Sequence, residues 1–197
     1  MHPYAIDSNE RILIPLYIAI ASILLALFFQ WIFNLFDLAF PWWIEAPSVF
    51  ALYGLFYKLF DVYLWKWKIL KTIGAVKTPN LNGDWKGNLA SSYDDFKTKI
   101  DANIRIIQNW TKISIVLTTI SSSSRSLVAG IITENPEQYI LSYQYLDEPR
   151  QISESTLHMH RGTTTINIQS DLSKFIGEYY TGRDRTNRGE LVFEREK

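Results

Sequence analysis

The sequence lacks the residues and motifs on which several protein chemistries depend. It contains no cysteine, so it has no disulfide bonds and no thiolate metal ligands, which fits a reducing compartment. Basic and acidic residues balance at 20 each, and residues 77–197 hold 15 of each, so no net field draws the chain to DNA or RNA. The motifs G-x-S-x-G and H-E-x-x-H and a glycine-rich phosphate loop are absent. We therefore predict no enzyme, no cofactor and no nucleic-acid partner.

The histidines offer a weak case for a metal site. His158 and His160 lie two residues apart, so on an extended strand they share a face and can approach one ion. No third histidine or carboxylate stands beside them at a recognisable ligand spacing. We therefore predict that the protein binds no metal.

A long run without formal charge dominates the first third of the chain. It covers 25 residues from Ile12 to Phe36, and about 20 apolar residues cross a bilayer as a helix. Acidic residues precede it and no small-residue cleavage site follows it, unlike in a signal peptide. A second apolar stretch, at about 47–67, contains Lys58 and Asp61. We predict a transmembrane helical hairpin over residues 1–76, with spans at about 12–36 and 47–67. The alternative for the second segment is an amphipathic helix lying on the membrane surface.

Charge and polar residues indicate how the hairpin is oriented and packed. Lysines follow the second segment, whereas the connecting loop holds only acidic charges, so the positive-inside rule places both termini in the cytoplasm. Gln30 and Asn34 lie four apart on the first helix, and Lys58 and Asp61 three apart on the second. Such groups hydrogen-bond or pair between helices. We expect these four residues to serve either association between chains or packing within one hairpin.

Residues 77–197 alternate between apolar and polar side chains, which is typical of half-buried strands. Turn residues separate the runs, and no helical segment of useful length interrupts them. About eight strands in about 120 residues predict a small antiparallel barrel or sandwich in the cytoplasm. The predicted strands are 83–91, 99–109, 112–121, 124–133, 138–146, 161–169, 175–183 and 189–195.

The first of these strands opens with a pattern that resembles the lipocalin-like barrels. Gly83 and Trp85 form a G-x-W, and in those barrels the tryptophan plugs the closed end beneath an arginine of the last strand. Arg195 ends the last predicted strand and is our candidate for that arginine, because a guanidinium over an indole ring gains cation–π energy.

A crowd of arginines and aromatic residues follows in "GEYYTGRDRTNRGELVFER". On an extended strand Tyr179, Thr181, Arg183 and Arg185 share one face, which supplies rings for bases and guanidinium groups for phosphate. The alternative is a solvated hairpin whose charges merely pair across strands. Arg105, Tyr143 and His160 are further candidates if their side chains point to the same interior.

The whole chain resembles the two-transmembrane, β-strand-rich effectors of bacterial cyclic-oligonucleotide anti-phage systems (CBASS), which work with CD-NTase signal synthases. The features that carry the resemblance are the two helices, the basic exit, "LNGDWKG", "HRGTTTINI" and the arginine-rich hairpin. The resemblance implies a lipocalin-like barrel that binds a cyclic dinucleotide. It also implies a homo-oligomer that forms on activation, disrupts the bacterial inner membrane and kills the infected cell.

Two other functions stay open at this point. A membrane-anchored barrel for an apolar ligand predicts a lumen lined mainly by isoleucine, leucine and phenylalanine, with Arg183 and Arg185 outside. A membrane-tethered adaptor for another protein predicts no small-molecule binding.

Overall fold

The computed structural model describes residues 1–37, 42–135, 138–150, 158–182 and 186–196, with the backbone alone for residues 42–47. The chain divides into two units. One consists of Ser8–Lys77, and the other combines Met1–Asp7 with Thr78–Lys197. The predicted division assigned residues 1–76 to the helices, whereas the structure places the first seven residues with the strands.

The helical unit contains α1 (Glu10–Leu35), α2 (Trp42–Val62) and the short α3 (Lys68–Thr72). In the described part of the chain, α1 is the one helix that is long and apolar enough to cross a membrane. Most of its apolar side chains are exposed, and a helix that exposes apolar residues on most of its surface suits a lipid environment. Lys58 and Asp61 place two charged residues within the apolar sequence of α2, and its role as a second span stays a prediction.

The second unit is one sheet of nine strands. Eight of them, β2 to β9, pair antiparallel with their neighbours in the chain, and β9 returns to pair with β2. Because β4 also pairs with β5, the sheet closes into a barrel. β2 to β9 coincide within a few residues with the eight predicted strands. The strands are β1 (His2–Ile6), β2 (Gly83–Ser91), β3 (Lys99–Gln108), β4 (Lys112–Thr118), β5 (Ser122–Ile132), β6 (Gln138–Pro149), β7 (His160–Gln169), β8 (Lys174–Thr181) and β9 (Arg188–Arg195).

β1 is the strand that the sequence pattern did not indicate. It pairs antiparallel with the start of β4 and parallel with the end of β5, so it fills the stretch where these two strands do not pair directly. The ring of Tyr4 is buried, and its hydroxyl accepts a hydrogen bond from Gln108 Nε2 at 3.1 Å. The carboxylate of Asp7 accepts from the backbone N–H of Thr133 at 2.7 Å. The segment before the first helix is therefore an integral strand of the barrel.

One end of the barrel is filled by aromatic side chains. Trp85 is fully buried, and its ring lies 4.9 Å from that of Phe175, which stacks at 5.2 Å on Phe193. The guanidinium carbon of Arg195 lies 5.3 Å from the Trp85 ring centroid, and its Nη2 donates to the carbonyl oxygen of Asn82. The two residues that the sequence paired therefore do meet here.

Gly83 explains why the motif begins with glycine. Its φ is +133°, a conformation that residues with a Cβ rarely adopt. A Cβ there would lie 3.5 Å from Arg195 Nε, which is ordinary van der Waals contact, so it is the backbone conformation and not the available space that requires glycine. The glycine of the G-x-W thus meets a requirement of the backbone, and the tryptophan meets one of packing.

Candidate ligand-binding site

A cavity of about 340 Å³ lies at the opposite end of the barrel from Trp85, at the lower limit of the usual range for small-molecule sites. This is the end where the even-numbered strands finish and the odd-numbered strands β3 to β9 begin. Most of the described lining residues are serine, threonine or tyrosine and four are aliphatic, while carbon atoms, those of the rings included, make up most of the exposed wall. The lining residues are Leu89, Ser91, Tyr93, Ile100, Leu117, Thr119, Ser121, Ser122, Ser124, Tyr143, Tyr145, Asp147, His160, Thr164, Tyr179, Thr181, Asn187 and Leu191.

Two tyrosines reach the cavity because glycines lie opposite them on the neighbouring strands. Tyr145 of β6 pairs with Gly162 of β7, and Tyr179 of β8 pairs with Gly189 of β9. A Cβ at either glycine would lie closer than 3.0 Å to the facing tyrosine ring, which is below van der Waals contact. Each ring therefore lies across a bare backbone, as aromatic residues do when they cover a strand glycine.

Tyr143 stands beside Tyr145 on the same face of β6, with ring centroids 6.5 Å apart. Burial raises the pKa of the Tyr143 phenol to about 12, against a smaller opposing effect of its hydrogen bond with Thr164. Burial, followed by the neighbouring Tyr179 and Tyr143, also raises the pKa of Tyr145. At neutral pH both phenols are therefore protonated and able to donate a hydrogen bond.

Asp147 and His160 face each other across β6 and β7. Asp147 is buried, and its Oδ2 lies 3.8 Å from His160 Nδ1. That nitrogen is closer to the carbonyl oxygen of His158, at 2.9 Å, so in the bonded tautomer Nδ1 carries the hydrogen and donates it to the backbone. The His160 ring meets the Tyr145 ring edge-on, with centroids 6.3 Å apart.

Thr181 lines the cavity and also holds the β8–β9 hairpin together. Its backbone N–H donates to the carbonyl oxygen of Asn187 at 2.9 Å. Its hydroxyl lies 3.1 Å from both the carbonyl oxygen and the backbone nitrogen of Asn187. The two residues thus tie together the described chain on either side of residues 183–185.

The structure brings together four of the seven residues proposed for the ligand. Tyr143, His160, Tyr179 and Thr181 line the cavity, whereas Arg183 and Arg185 lie outside the described residues. The assignment of Arg105 to the interior is wrong. Its side chain lies on the outer face of β3, 68% exposed, where its Nε donates to Asp84 Oδ1 at 2.6 Å. Arg105 also holds the pKa of the Asp84 carboxyl below its usual range, chiefly through that hydrogen bond.

The residues proposed for helix association occupy different environments. Gln30 and Asn34 of α1 are exposed, as is Lys58 of α2, while Asp61 of α2 is buried. Among the described residues, no group of three histidine, aspartate or glutamate side chains could hold a metal ion.

Sequence reasoning missed Tyr145, Asp147 and the serines that begin β5. Ser122 and Ser124 are buried in the cavity wall, whereas the predicted strand begins only at residue 124 and neither serine was a candidate. Tyr143, Tyr145 and Asp147 alternate along β6, so the period of two that placed Tyr143 inside also places the other two. That alternation was the signal available.

Comparison with known proteins matches the helical part and the strand-rich part of the chain to two separate family models. A family model described as "Cap15, cyclic dinucleotide receptor domain" matches residues 76–195, and one described as "Cap15, TM helices" matches residues 13–66. A CD-NTase-associated protein 15 of Yersinia aleksiciae is 30% identical over 148 residues, which are 75% of this chain and 69% of that protein. A protein of the same name from Staphylococcus schleiferi is 27% identical over 145 residues, which are 73% of this chain and 76% of that protein. Because the receptor-domain model alone matches more than half of the chain, the chain belongs to the Cap15 family.

Proposed function

We propose that the protein is a CBASS effector whose barrel binds a cyclic dinucleotide in the cavity between Tyr145 and Tyr179. Membership of a family with a cyclic dinucleotide receptor domain supports the ligand class. The CD-NTase-associated relatives support the place in an anti-phage system. In this function the ligand is the signal made by a CD-NTase, and the protein performs no catalysis.

The observation that carries the location of the site is the lining of the cavity. Tyr143, Tyr145 and Tyr179 present rings on which bases stack at about 1–3 kcal/mol each. Serine and threonine hydroxyls around them donate to and accept from ribose and phosphate oxygens. Arg183 and Arg185 follow Thr181 by two and four residues, and we assign them to the two phosphate charges.

The lining argues against the apolar-ligand alternative. That function predicts a lumen made mainly of isoleucine, leucine and phenylalanine, yet four aliphatic residues stand among many hydroxyl-bearing ones. A buried hydroxyl that loses water needs a hydrogen-bonding partner, and a hydrocarbon ligand supplies none. A polar ligand with flat rings fits this wall better.

Output at the membrane is the second half of the proposal. We propose that α1 and α2 both span the inner membrane, that both termini are cytoplasmic, and that ligand binding drives assembly of homo-oligomers which disrupt the bilayer. Ligand must bind the assembled state better than the resting one for this to occur. The exposed amides of Gln30 and Asn34 are candidates for contacts between helices of neighbouring chains.

The test uses the full-length protein in lipid nanodiscs and measures its melting temperature with a panel of cyclic di- and trinucleotides. At about 100 times Kd a ligand adds about 2.7 kcal/mol, which is a shift of several degrees. We expect Arg183→Gln to abolish the shift and Arg105→Gln, on the outer face, to retain it. No shift with any ligand would sink the receptor function. If both variants lose the ligand-induced shift equally, the assignment of Arg183 to the binding site is refuted.

Release of a trapped dye from vesicles containing the full-length protein tests the second half. The activating ligand should release the dye from vesicles with the wild-type protein. Binding without release or change of oligomeric state would refute membrane disruption and leave the receptor function intact.

A further inference from the structure

The cavity contains an acidic side chain, which cannot serve to bind the phosphate groups of a cyclic dinucleotide. Asp147 is the one carboxylate among the described residues that line it, and it is 6% exposed. A buried carboxylate repels phosphate and is costly unless hydrogen-bond donors surround it. A part of a cyclic dinucleotide that reaches Asp147 is therefore favoured if it donates hydrogen bonds and disfavoured if it presents an acceptor or a phosphate.

His160 does not form a hydrogen bond with the carboxylate of Asp147, although the two residues face each other. Its Nδ1–H is directed to the carbonyl oxygen of His158 at 2.9 Å, and its separation of 3.8 Å from Asp147 Oδ2 is too long for a hydrogen bond. A carboxylate has about four acceptor positions. Asp147 can therefore accept hydrogen bonds from a ligand while it keeps its contacts within the protein.

The position of Asp147 fits the edge of a base. Tyr145 and Asp147 are two residues apart on the inner face of β6, which is about 7 Å along a strand. A purine that lies against the Tyr145 ring can then direct its hydrogen-bonding edge at the carboxylate. The serines of β5 line another part of the same wall and suit the ribose hydroxyls, which donate and accept.

The four bases differ in what they offer a carboxylate. Guanine presents two adjacent donors, N1–H and the exocyclic N2 amine, which match the two oxygens of a carboxylate as a fork. Adenine and cytosine place one amine beside a ring-nitrogen acceptor, and uracil places one N–H between two carbonyl oxygens, so each brings an acceptor against the negative charge. We propose that Asp147 reads the edge of guanine and thereby selects guanine-containing cyclic dinucleotides. This assignment rests on the proposed function.

The first experiment needs no change to the protein. Affinities of the full-length protein in nanodiscs are measured by calorimetry for cyclic di-GMP, cyclic GMP–AMP, cyclic di-AMP and cyclic di-UMP. We expect a guanine-containing ligand to bind about tenfold or more tightly than either ligand without guanine. The inosine analogue of the best ligand lacks only the N2 amine and should bind about tenfold more weakly.

The second experiment removes the charge. Asp147→Asn keeps the shape of the side chain but replaces one acceptor with a donor, so the guanine preference should fall about tenfold or more while guanine-free ligands change less. Asp101→Asn is the matched control, because Asp101 is exposed on the outer face of β3 and undergoes the same change of charge. It should leave every affinity unchanged.

The outcomes separate this assignment from the function on which it rests. If a guanine-free ligand binds wild type as tightly as any other, the base assignment is refuted and the receptor function stands. Equal weakening of all ligands in a folded Asp147→Asn protein assigns Asp147 a structural role and refutes base reading. If that variant does not fold, the inosine comparison on wild type decides. If no cyclic dinucleotide binds wild type, the receptor function and the base assignment both fail.

Discussion

Alanine at position 189 tests whether the bare backbone opposite Tyr179 builds the cavity. A Cβ on Gly189 would lie closer than 3.0 Å both to the ring of Tyr179 and to the carbonyl oxygen of Ala90. The ring can rotate toward the cavity, but the carbonyl belongs to the β2–β9 ladder and cannot move without breaking strand pairing. We therefore expect Gly189→Ala to move the tyrosine and strain the ladder together.

The contacts indicate the size of the effect. Inserting one methyl group into a packed site costs about 1–3 kcal/mol, and a fixed backbone partner places this case at the upper end, at about 2–3 kcal/mol. For a unit of this size each kcal/mol lowers the melting temperature by about 3–4 °C, so the expected fall is about 6–12 °C. Ligand affinity should fall as well, because the displaced ring occupies the cavity.

Gly130→Ala is the matched control. Gly130 lies within β5, and a Cβ there meets nothing within 4 Å, so alanine should be neutral or stabilising by up to about 1 kcal/mol. Both variants are measured by thermal unfolding in nanodiscs, followed by ligand titration. An unchanged melting temperature in Gly189→Ala, or an equal fall in both variants, would refute the role assigned to the glycine. A double variant with Tyr179→Ala should recover only part of the loss, since the carbonyl of Ala90 remains.

Three further predictions concern stability. Tyr4→Phe removes the hydroxyl that accepts from the buried Gln108, so thermal unfolding should show a loss of about 1–2 kcal/mol; no loss would mean that β1 contributes little to the barrel. Arg195→Lys replaces the planar group over Trp85 and should cost about 1 kcal/mol in the same assay; an unchanged melting temperature would show that stacking is unimportant. Because burial raises the pKa of Tyr143 to about 12, its neutral form favours folding below about pH 10, and this stability is lost as the pH rises from about 10 to 12. Tyr143→Phe should therefore lose less unfolding free energy than wild type between about pH 9 and 11 in denaturant titrations, and an equal loss would contradict the buried neutral phenol.

Most of the barrel could be predicted from the alternation of apolar and polar side chains along the sequence. A period of two identifies β2 to β9 because each has one buried face, and it also determines which residues share a face. In β3 the buried Ala102, Ile104 and Ile106 place Arg105 outside, so the alternation itself contradicts an inward position for this arginine. β1 has five residues, too few to establish a period, and its place depends on partners more than 100 residues away in the chain.

The candidate site was harder to predict because it depends on register between strands. Tyr179 was assigned to the inner face from its own strand, but the reason it can lie there is Gly189 on the next strand. Likewise, the surroundings of Asp147 depend on His160, which faces it from the next strand. A single sequence shows which residues alternate, whereas the pairing that sets one strand against another follows from turn geometry and barrel closure.

The N-terminal strand makes the helical unit an insertion within the barrel, entered after Asp7 and left at Thr78. Glu10 Oε2 accepts a hydrogen bond from the backbone nitrogen of Lys77 at 2.6 Å, so the entry and exit segments run side by side. A protein cut at residue 77 would lack β1 and expose the strand edges that it covers, and unpaired edges invite aggregation. Joining Asp7 to Thr78 through a short glycine–serine linker would instead give a nine-stranded receptor without its helices, which is the natural soluble form in which to crystallise the ligand complex.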